Sequence, residues 1–307
     1  MHSVLSVIER ASGLDRPSAA DARAQQRFSL RLHPSREEWH EVEGWMVEHG
    51  WDPGYGDARA ILAVDPRALI VGYVDDVPVS AISVLQIGES YAFAGNFFVH
   101  REWRGRGFGR ATWDAAMLHA TGRTIGLEAA LDKVQHYERL GFTRSHETSS
   151  YQGRIRPAVR AVASGVRPFE PGDRDALVAL DALCSPHDRI AFLTTWIAAG
   201  EGTLVYSRGP GYGVEGFGTI RRCRTGVRIG PLIAATSTAA RAVFDTLTAS
   251  HRGEHVVIEA PTLNRFAAGL ARDRGLERGP ATARMYSTPV RPTALAYCYG
   301  LASPAYG

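Results

Sequence analysis

Residues 96–110 read NFFVHREWRGRGFGR, and this stretch decides the fold. An apolar run typical of a β-strand, residues 91–99, leads into it, and apolar residues at helical spacing follow over residues 108–118. A glycine-rich turn between a strand and a helix directs successive backbone N–H groups into one concavity, and the helix N-terminus adds partial positive charge. The stretch therefore predicts a site for phosphate groups.

Two common phosphate-binding patterns do not fit this stretch. Arg104, Arg106 and Arg110 would supply positive charge around the turn, but the Walker A pattern requires a lysine, and the stretch contains none. The dinucleotide fingerprint requires a third glycine where the chain has Arg110. The phosphate ligand is therefore expected to be of another kind.

Three motifs resemble those of one family. The spacing R-x-x-G-x-G at residues 104–109 resembles the coenzyme A pyrophosphate loop of the GNAT (Gcn5-related N-acetyltransferase) superfamily. Tyr137, Gly141 and Phe142 form a Y-x-x-x-G-F motif similar to the one that closes that fold. The run GWDPGYGD at residues 50–57 resembles the G-W-x-P-G-x-x-D run of the two-domain YitH-like group. The resemblance implies an α/β fold with an α+β mixed sheet.

The resemblance also implies roles for particular residues. Backbone groups of Phe97 and Val99 are expected to bind the acyl carbonyl and the pantetheine arm. Tyr137 is expected to protonate the departing thiolate, since a phenol can donate to a thiolate of comparable basicity. Trp51 and Asp57 are expected to face the acceptor, as an aromatic wall and an anion for a cationic amine. The expected cofactor loop comprises Arg104, Gly105, Arg106, Gly107, Phe108, Gly109 and Arg110.

The general base is less well defined by the sequence. An incoming ammonium must lose a proton before it attacks, so a carboxylate or a water chain is expected in the acceptor cleft. Glu128 is the first candidate, with an exposed strand-end carboxylate as the alternative interpretation. Asp132 equally fits a helix N-cap, and His136 is expected to point away from the face of Tyr137. Asn96 fits either a substrate contact or a hydrogen-bonded core amide.

The order of predicted elements repeats, which indicates tandem GNAT-like domains. We predict a flexible arm (1–26), a catalytic acyl-CoA-binding domain with an intact loop (27–150), a linker (151–165) within a Ser-, Arg- and Gly-rich stretch, and a degenerate domain (166–307). Where the first half has its loop, residues 233–237 contain neither glycine nor arginine, and Leu270 or Ala271 replaces the tyrosine. The second domain is expected to wall the acceptor pocket, and its tail, residues 295–301, to add an edge strand.

Composition excludes several classes of protein. Hydrophobic residues make up 45% and charged residues 22%, as in ordinary globular proteins. No apolar run approaches the ~18 residues of a membrane span. The three cysteines lie far apart, which argues against a disulfide framework and a zinc site. The net charge of +3 comes almost wholly from arginine and does not by itself indicate nucleic-acid binding. We expect a cytoplasmic protein without metal; its oligomeric state is open.

The sequence thus predicts a GNAT-type N-acyltransferase. Its co-substrate would be acetyl-CoA or another acyl-CoA, and the acceptor a small-molecule amine. Two alternatives remain open. One is a GNAT-fold enzyme that takes an aminoacyl group from charged tRNA, whose phosphates would contact the arginine clusters at residues 221–224 and 154–156. The other is a non-catalytic acyl-CoA sensor.

Overall fold

A computed structural model describes residues 27–158, 164–209 and 211–307. The predicted arm, residues 1–26, lies outside the described residues. The strands are β1 (Phe28–Arg31), β2 (Leu69–Val74), β3 (Val77–Ile87), β4 (Tyr91–Val99), β5 (Thr124–Ala130), β6 (Thr143–Arg154), β7 (Val166–Pro168), β8 (Gly202–Tyr206), β9 (Gly216–Arg222), β10 (Gly226–Ala234), β11 (His255–Pro261), β12 (Glu277–Tyr286) and β13 (Cys298–Gly300). The helices are α1 (Arg36–Glu48), α2 (Asp57–Val64), α3 (Phe108–His119), α4 (Val134–Arg139), α5 (Arg174–Cys184), α6 (Ile190–Ala199), α7 (Ser237–Thr248) and α8 (Arg265–Asp273).

The described strands form one mixed sheet. Its order is β1-β2-β3-β4-β5-β12-β6-β11-β10-β9-β8-β7, with β13 beside β10. Two pairs are parallel, β4 with β5 in the first half and β10 with β11 in the second. In each half one long helix connects the two parallel strands, α3 between β4 and β5 and α7 between β10 and β11, so the two halves have the same plan, as the sequence predicted.

The two halves exchange strands at the centre of the sheet. β12, from the second half, pairs with β5 of the first, while β6 of the first half lies between β12 and β11. β6 runs to Arg154 and pairs with β11 from Thr148 onward. The predicted linker is therefore wrong up to Arg154, because its polar residues are paired strand residues. The domain boundaries themselves remain predictions.

Helices cover both faces of the first half. On one face, α1 and α2 pack against the sheet together with α6 of the second half, through a cluster that includes Trp39, Ile61, Phe192 and Trp196. Full burial of an apolar side chain of this size, such as Phe192, contributes roughly 1.5–3 kcal/mol. α3 covers the other face with Trp113 and its neighbours. The face shared by α1, α2 and α6 joins the halves in one core.

Local sequence signals account for two features of the first half, the start of α1 and the turn between β2 and β3. Ser35 caps α1 in a capping box: Glu38 N donates to Ser35 Oγ at 3.2 Å, and Ser35 N donates to Glu38 Oε2 at 2.6 Å. Asp75 and Asp76 have φ of +48° and +65° in the hairpin turn between β2 and β3. Aspartate tolerates this left-handed region better than most residues, which explains the tight turn.

The C-terminal strand differs from its prediction. Parallel pairing of β10 with β11 ends at Ile229 and Ile258. β13 then pairs with β10 at Leu232 and Ile233, and Leu301 N donates to Glu259 O of β11 at 2.7 Å. The predicted edge strand is therefore wrong: β13 fills the opening between two diverging strands, whose backbone groups would otherwise lack partners.

Candidate active site

The corresponding opening in the first half contains no strand among the described residues. Parallel pairing of β4 with β5 ends at Ala94 and Leu127. Just beyond, the register of β4 against β3 shifts between Gly95 and Phe98, and Asn96 has φ +50°. Such a bulge bends the strand that contains it. β4 therefore diverges from β5 and leaves a cleft between them.

Backbone N–H groups of β4 point into this cleft. His100 N donates to Val79 O of β3 at 2.9 Å. Because alternate residues of an antiparallel pair direct their backbone groups toward the partner strand and away from it, Phe97 and Val99 direct theirs away from β3. Val99 O accepts a hydrogen bond from Arg104 Nε at 3.0 Å, which ties the loop to the strand. The two predicted cofactor-binding amides thus face the cleft.

The glycines of the loop are required by its geometry. Gly105 and Gly107 have φ of +79° and +86°, and Gly107 precedes α3 as an N-cap without a side-chain hydrogen bond. The first-turn amides of α3 therefore have no side-chain cap and can bind an anion. A Cβ atom on Gly109 would lie 2.7 Å from Val99 Cγ2, so glycine lets α3 approach β4.

The other loop residues lie around these amides. Arg104, Arg106 and Arg110 are exposed. The guanidinium of Arg106 lies 4.9 Å from the centre of the Trp103 ring, and Arg110 Nε donates to the Asp114 carboxylate at 2.8 Å. Phe108 stacks on Phe28, with 4.9 Å between ring centres. Phe108 therefore anchors the loop through its ring.

Tyr137 lies on the α3 side of the cleft. The ring of Trp113 is 5.6 Å from the ring of Phe97 and 5.6 Å from that of Tyr137, so it bridges strand and tyrosine. Phe142 N donates to Tyr137 O at 3.0 Å and Gly141 has φ +90°, which is a Schellman ending of α4. Burial raises the pKa of Tyr137. The phenol therefore keeps its proton at neutral pH, as a proton donor must.

Glu128 is not free to act as a base. Its carboxylate accepts hydrogen bonds from Arg284 Nε at 2.8 Å, Thr282 Oγ1 at 2.6 Å and Thr148 Oγ1 at 3.2 Å. The second half repeats the arrangement with Glu259 of β11, which pairs with buried Arg228 although that half lacks the glycine loop. The repeat indicates that this glutamate holds strands together, which corrects its predicted role.

Asp57 and Asn96 are also engaged by the protein. The buried carboxylate of Asp57 accepts from Gly54 N at 3.0 Å and from Arg221 Nη1 of β9. It is therefore unavailable to an acceptor, contrary to the prediction. Asn96 Nδ2 donates to Ser83 Oγ at 3.1 Å and to Tyr306 Oη at 2.8 Å. The alternative interpretation of Asn96, a hydrogen-bonded core amide, is the one that the structure supports.

Aromatic rings line the other side of the cleft entrance. Trp51 is 48% exposed, and its ring centre lies 4.8 Å from that of Phe98 on the diverging part of β4. The ring of His49 lies 5.2 Å from the same Phe98. Trp51 thus lies beside the diverging part of β4, and its contact with an acceptor stays a prediction. His49 and Phe98 were not predicted, although His49 directly precedes the G-W pair.

The second half holds the segment that contains Trp51. Asp52 accepts from Arg224 N at 2.9 Å and from Thr225 N at 2.8 Å, in the turn between β9 and β10. Arg228 Nη1 donates to Asp52 O at 3.0 Å. The second half therefore fixes the position of this loop.

Comparisons with known proteins identify the family of this chain. Models of the acetyltransferase (GNAT) domain match residues 60–144 and 177–300. Holothin acyltransferase of Pseudoalteromonas sp. (strain SANK 73390) is 34% identical over 255 residues, which are 82% of this chain and 85% of that protein. The chain belongs to the GNAT acetyltransferase family. The predicted family, the class of N-acyltransferase and the tandem arrangement are confirmed.

Solved structures share the GNAT fold over nearly the whole chain. A proposed acetyltransferase from Pyrococcus horikoshii has a TM-score of 0.76 and 21% identity, covering 92% of this chain and 97% of its own. A tandem GNAT protein from the clavulanic acid biosynthesis pathway has a TM-score of 0.62 and 16% identity, covering 86% and 99%. At these identities the likeness concerns the fold alone.

The second GNAT unit lacks the features that define the first site. Thr236 caps α7, since Ala239 N donates to Thr236 Oγ1 at 3.1 Å. Leu276 N donates to Ala271 O at 3.1 Å and Gly275 has φ +82°, the same Schellman ending that follows Tyr137. Ala271, rather than Leu270, therefore occupies the position of the tyrosine. With β13 in its opening, this unit has neither the amides nor the phenol of the first.

Residues 27–158, 164–209 and 211–307 contain neither a metal-binding cluster nor a membrane-spanning helix. No cluster of three or more His, Cys, Asp or Glu side chains is arranged to bind a metal ion. No helix in those ranges has the length and apolar character to cross a membrane.

Proposed function

We propose that this GNAT enzyme transfers an acyl group, most simply acetyl, from an acyl-CoA to the amine of a small molecule by direct attack. The observation that carries the proposal is the convergence of the Phe97 and Val99 amides with the uncapped first turn of α3. The loop suits a diphosphate because Gly107 leaves the first turn of α3 without a side-chain cap, and Gly109 lets that turn lie close to Val99. A structural glycine turn would not require Tyr137 on the same side of the cleft.

Different residues of the cleft would have different roles in the reaction. Phe97 N–H would donate to the acyl carbonyl oxygen as negative charge develops there, an effect worth about 3 kcal/mol for one such donor. Val99 would hold the pantetheine arm, and residues 104–110 the pyrophosphate. Tyr137 would donate its proton to the departing sulfur, which its raised pKa permits because the phenol enters the reaction protonated.

The acceptor is proposed to be a small molecule. The loop that carries Trp51 is fixed to the second half by Asp52 and Asp57, so the cleft entrance is walled rather than open. Because a relative of this chain is named holothin acyltransferase, holothin is the first acceptor to test.

The tRNA-dependent alternative loses its main support. Arg221 is buried and paired with Asp57, and Arg222 pairs with Glu254 and Glu201. Arg154 Nη1 donates to Gly253 O at 2.8 Å. Arg221, Arg222 and Arg154 are thus engaged by the protein, which leaves fewer arginines of these clusters for tRNA phosphates.

Calorimetric titration with acetyl-CoA tests the donor site. Gly107→Asp places a charge and a strained φ in the loop and should abolish binding. Gly122→Asp is the matched control, since Gly122 also has positive φ, +81°, and open space around it, but lies beyond the C-terminus of α3. Release of free thiol with holothin, then with a panel of amines, tests catalysis. No heat with any acyl-CoA, or equal heat for Gly107→Asp, would contradict the proposal.

A further inference from the structure

His49 lies at the acceptor side of the cleft and has a free ring nitrogen. It caps the C-terminus of α1, its side chain is exposed, and its ring packs 5.2 Å from that of Phe98. Phe98 follows Phe97, whose amide points into the cleft. Trp51 packs on the same ring, so His49 and Trp51 flank Phe98 at the entrance.

The tautomer of His49 is fixed by the backbone. Its Nδ1 lies 2.8 Å from Trp45 O. A carbonyl oxygen only accepts hydrogen bonds, so Nδ1 carries the hydrogen and the neutral ring presents a lone pair at Nε2. After proton uptake the imidazolium would keep this hydrogen bond and would lie at the negative end of the dipole of α1.

The carboxylates that the sequence offered as partners of a cationic amine are both occupied. Glu128 binds Arg284 and two threonines, and Asp57 binds Arg221. His49, whose ring packs on Phe98 of β4, therefore offers a proton acceptor at Nε2 that is not hydrogen-bonded within the described residues. His100 lies farther along β4, with its ring 6.1 Å from that of Trp45.

We propose that His49 is the general base that deprotonates the acceptor ammonium, which rests on the proposed function above. Nε2 takes one proton from R–NH3⁺, and the amine forms the C–N bond as the C–S bond breaks. Tyr137 gives its proton to sulfur and regains one from the nitrogen of the new amide. His49 then releases its proton to solvent, so one proton is released for each amide formed.

Two variants separate a catalytic from a structural role for His49. His49→Asn retains an N–H that can donate to Trp45 O but has no Nε2 lone pair. His49→Ala leaves space that free imidazole can enter. Both are expected to lower kcat about 100-fold, within the range for loss of a general base, without changing the calorimetric affinity for acetyl-CoA.

Chemical rescue is the deciding measurement. Added imidazole should raise the thiol-release rate of His49→Ala in proportion to its concentration and leave the wild type unchanged. His40→Ala is the matched control: His40 lies on the same helix, its side chain is 84% exposed, and its loss should leave both the rate and the response to imidazole unchanged.

The possible failures are distinguishable. A rate of His49→Asn within twofold of the wild type, or a slow His49→Ala that imidazole does not rescue, overturns the role of His49 while the acyltransferase function stands. Rescue of His100→Ala instead would move the role to that residue and also overturn the proposal. A wild-type protein that releases no thiol with any acceptor overturns both.

Discussion

Replacing Asp57 by asparagine tests whether the loop at residues 50–57 is held by a buried ion pair or contacts substrate. The side chains of Asp57 and Arg221 are 4% and 3% exposed. Arg221 Nη2 donates to Ala302 O at 2.8 Å, and the guanidinium carbon lies 4.2 Å from the centre of the Trp196 ring. Its Nε has no partner among the described residues. Without the carboxylate charge, Arg221 would therefore stay buried with one backbone acceptor and one aromatic face.

The expected cost follows from this burial. Removing one partner of a buried ion pair typically destabilises a protein by about 3–5 kcal/mol, because the other charge is left uncompensated. The hydrogen bond from Gly54 N can be retained by the asparagine oxygen, so the loss should not exceed this range. Unfolding entropy of about 2.1 cal/mol/K per residue gives about 0.6 kcal/mol/K for 307 residues. The expected fall in Tm is therefore about 5–8 °C.

Calorimetric melting of purified variants measures this fall. Asp76→Asn is the control, since Asp76 also pairs with an arginine but its side chain is 88% exposed, and such a pair is worth at most about 1 kcal/mol. Asp57→Leu combined with Arg221→Met removes both charges and should recover most of the lost stability. An unchanged Tm for Asp57→Asn together with a raised KM for the amine would refute the reasoning, because the carboxylate would then face the acceptor.

Three further predictions follow from the cleft and its surroundings. Gly109→Ala should weaken acetyl-CoA binding about 10-fold by calorimetry, because its Cβ would press on Val99 and shift the strand; equal affinity would contradict the close approach. Tyr137→Phe should lower kcat about 100-fold at unchanged acetyl-CoA affinity, and because burial raises the pKa of Tyr137, a wild-type pH profile should show no loss of this proton below about pH 10. Burial and the charge of Arg284 lower the pKa of His146 to about 3. Below about pH 6.5 the unfolded chain binds a proton at this residue and the folded chain does not, so the free energy of unfolding should fall from pH 6.5 toward pH 3, by at most ~1.4 kcal/mol per pH unit. In urea melts at several pH values, His146→Gln should lose part of this pH dependence; a pH dependence equal to that of the wild type would contradict the prediction.

The donor side of the cleft could be predicted because local signals decide it. Gly105 and Gly107 occupy positions of positive φ, and Gly141 ends α4 in the same way. Because positive φ favours glycine, such positions can be recognised in the sequence without knowing the tertiary contacts. The strand before the loop is a plain apolar run. The short helices α2 and α6 and the strand β12 were not predicted, since each takes its place from packing rather than from a cap or a turn.

The acceptor side could not be predicted because its contacts join distant parts of the chain. Asp57 pairs with Arg221, 164 residues away, and Glu128 with Arg284, 156 residues away. The local sequence around an acidic residue is the same whether its carboxylate faces a ligand or pairs with a buried arginine. The strand β6 is rich in Ser and Thr and resembles a linker, because its partners β11 and β12 belong to the other half. Only its pairing with those strands distinguishes β6 from a linker.

The two openings of the sheet differ in what satisfies their backbone, and this difference explains why we place the candidate site in the first half. In the second half, β13 pairs with β10 and Thr236 caps α7, so the groups that could bind a ligand are bound by the chain itself. The same segment continues to Tyr306, which accepts a hydrogen bond from Asn96 in the bulge of β4. The segment that closes the second opening therefore also supplies Tyr306, which supports the bulge of β4 at Asn96. Withdrawing β13 to open a second site would remove this support from the cleft between β4 and β5.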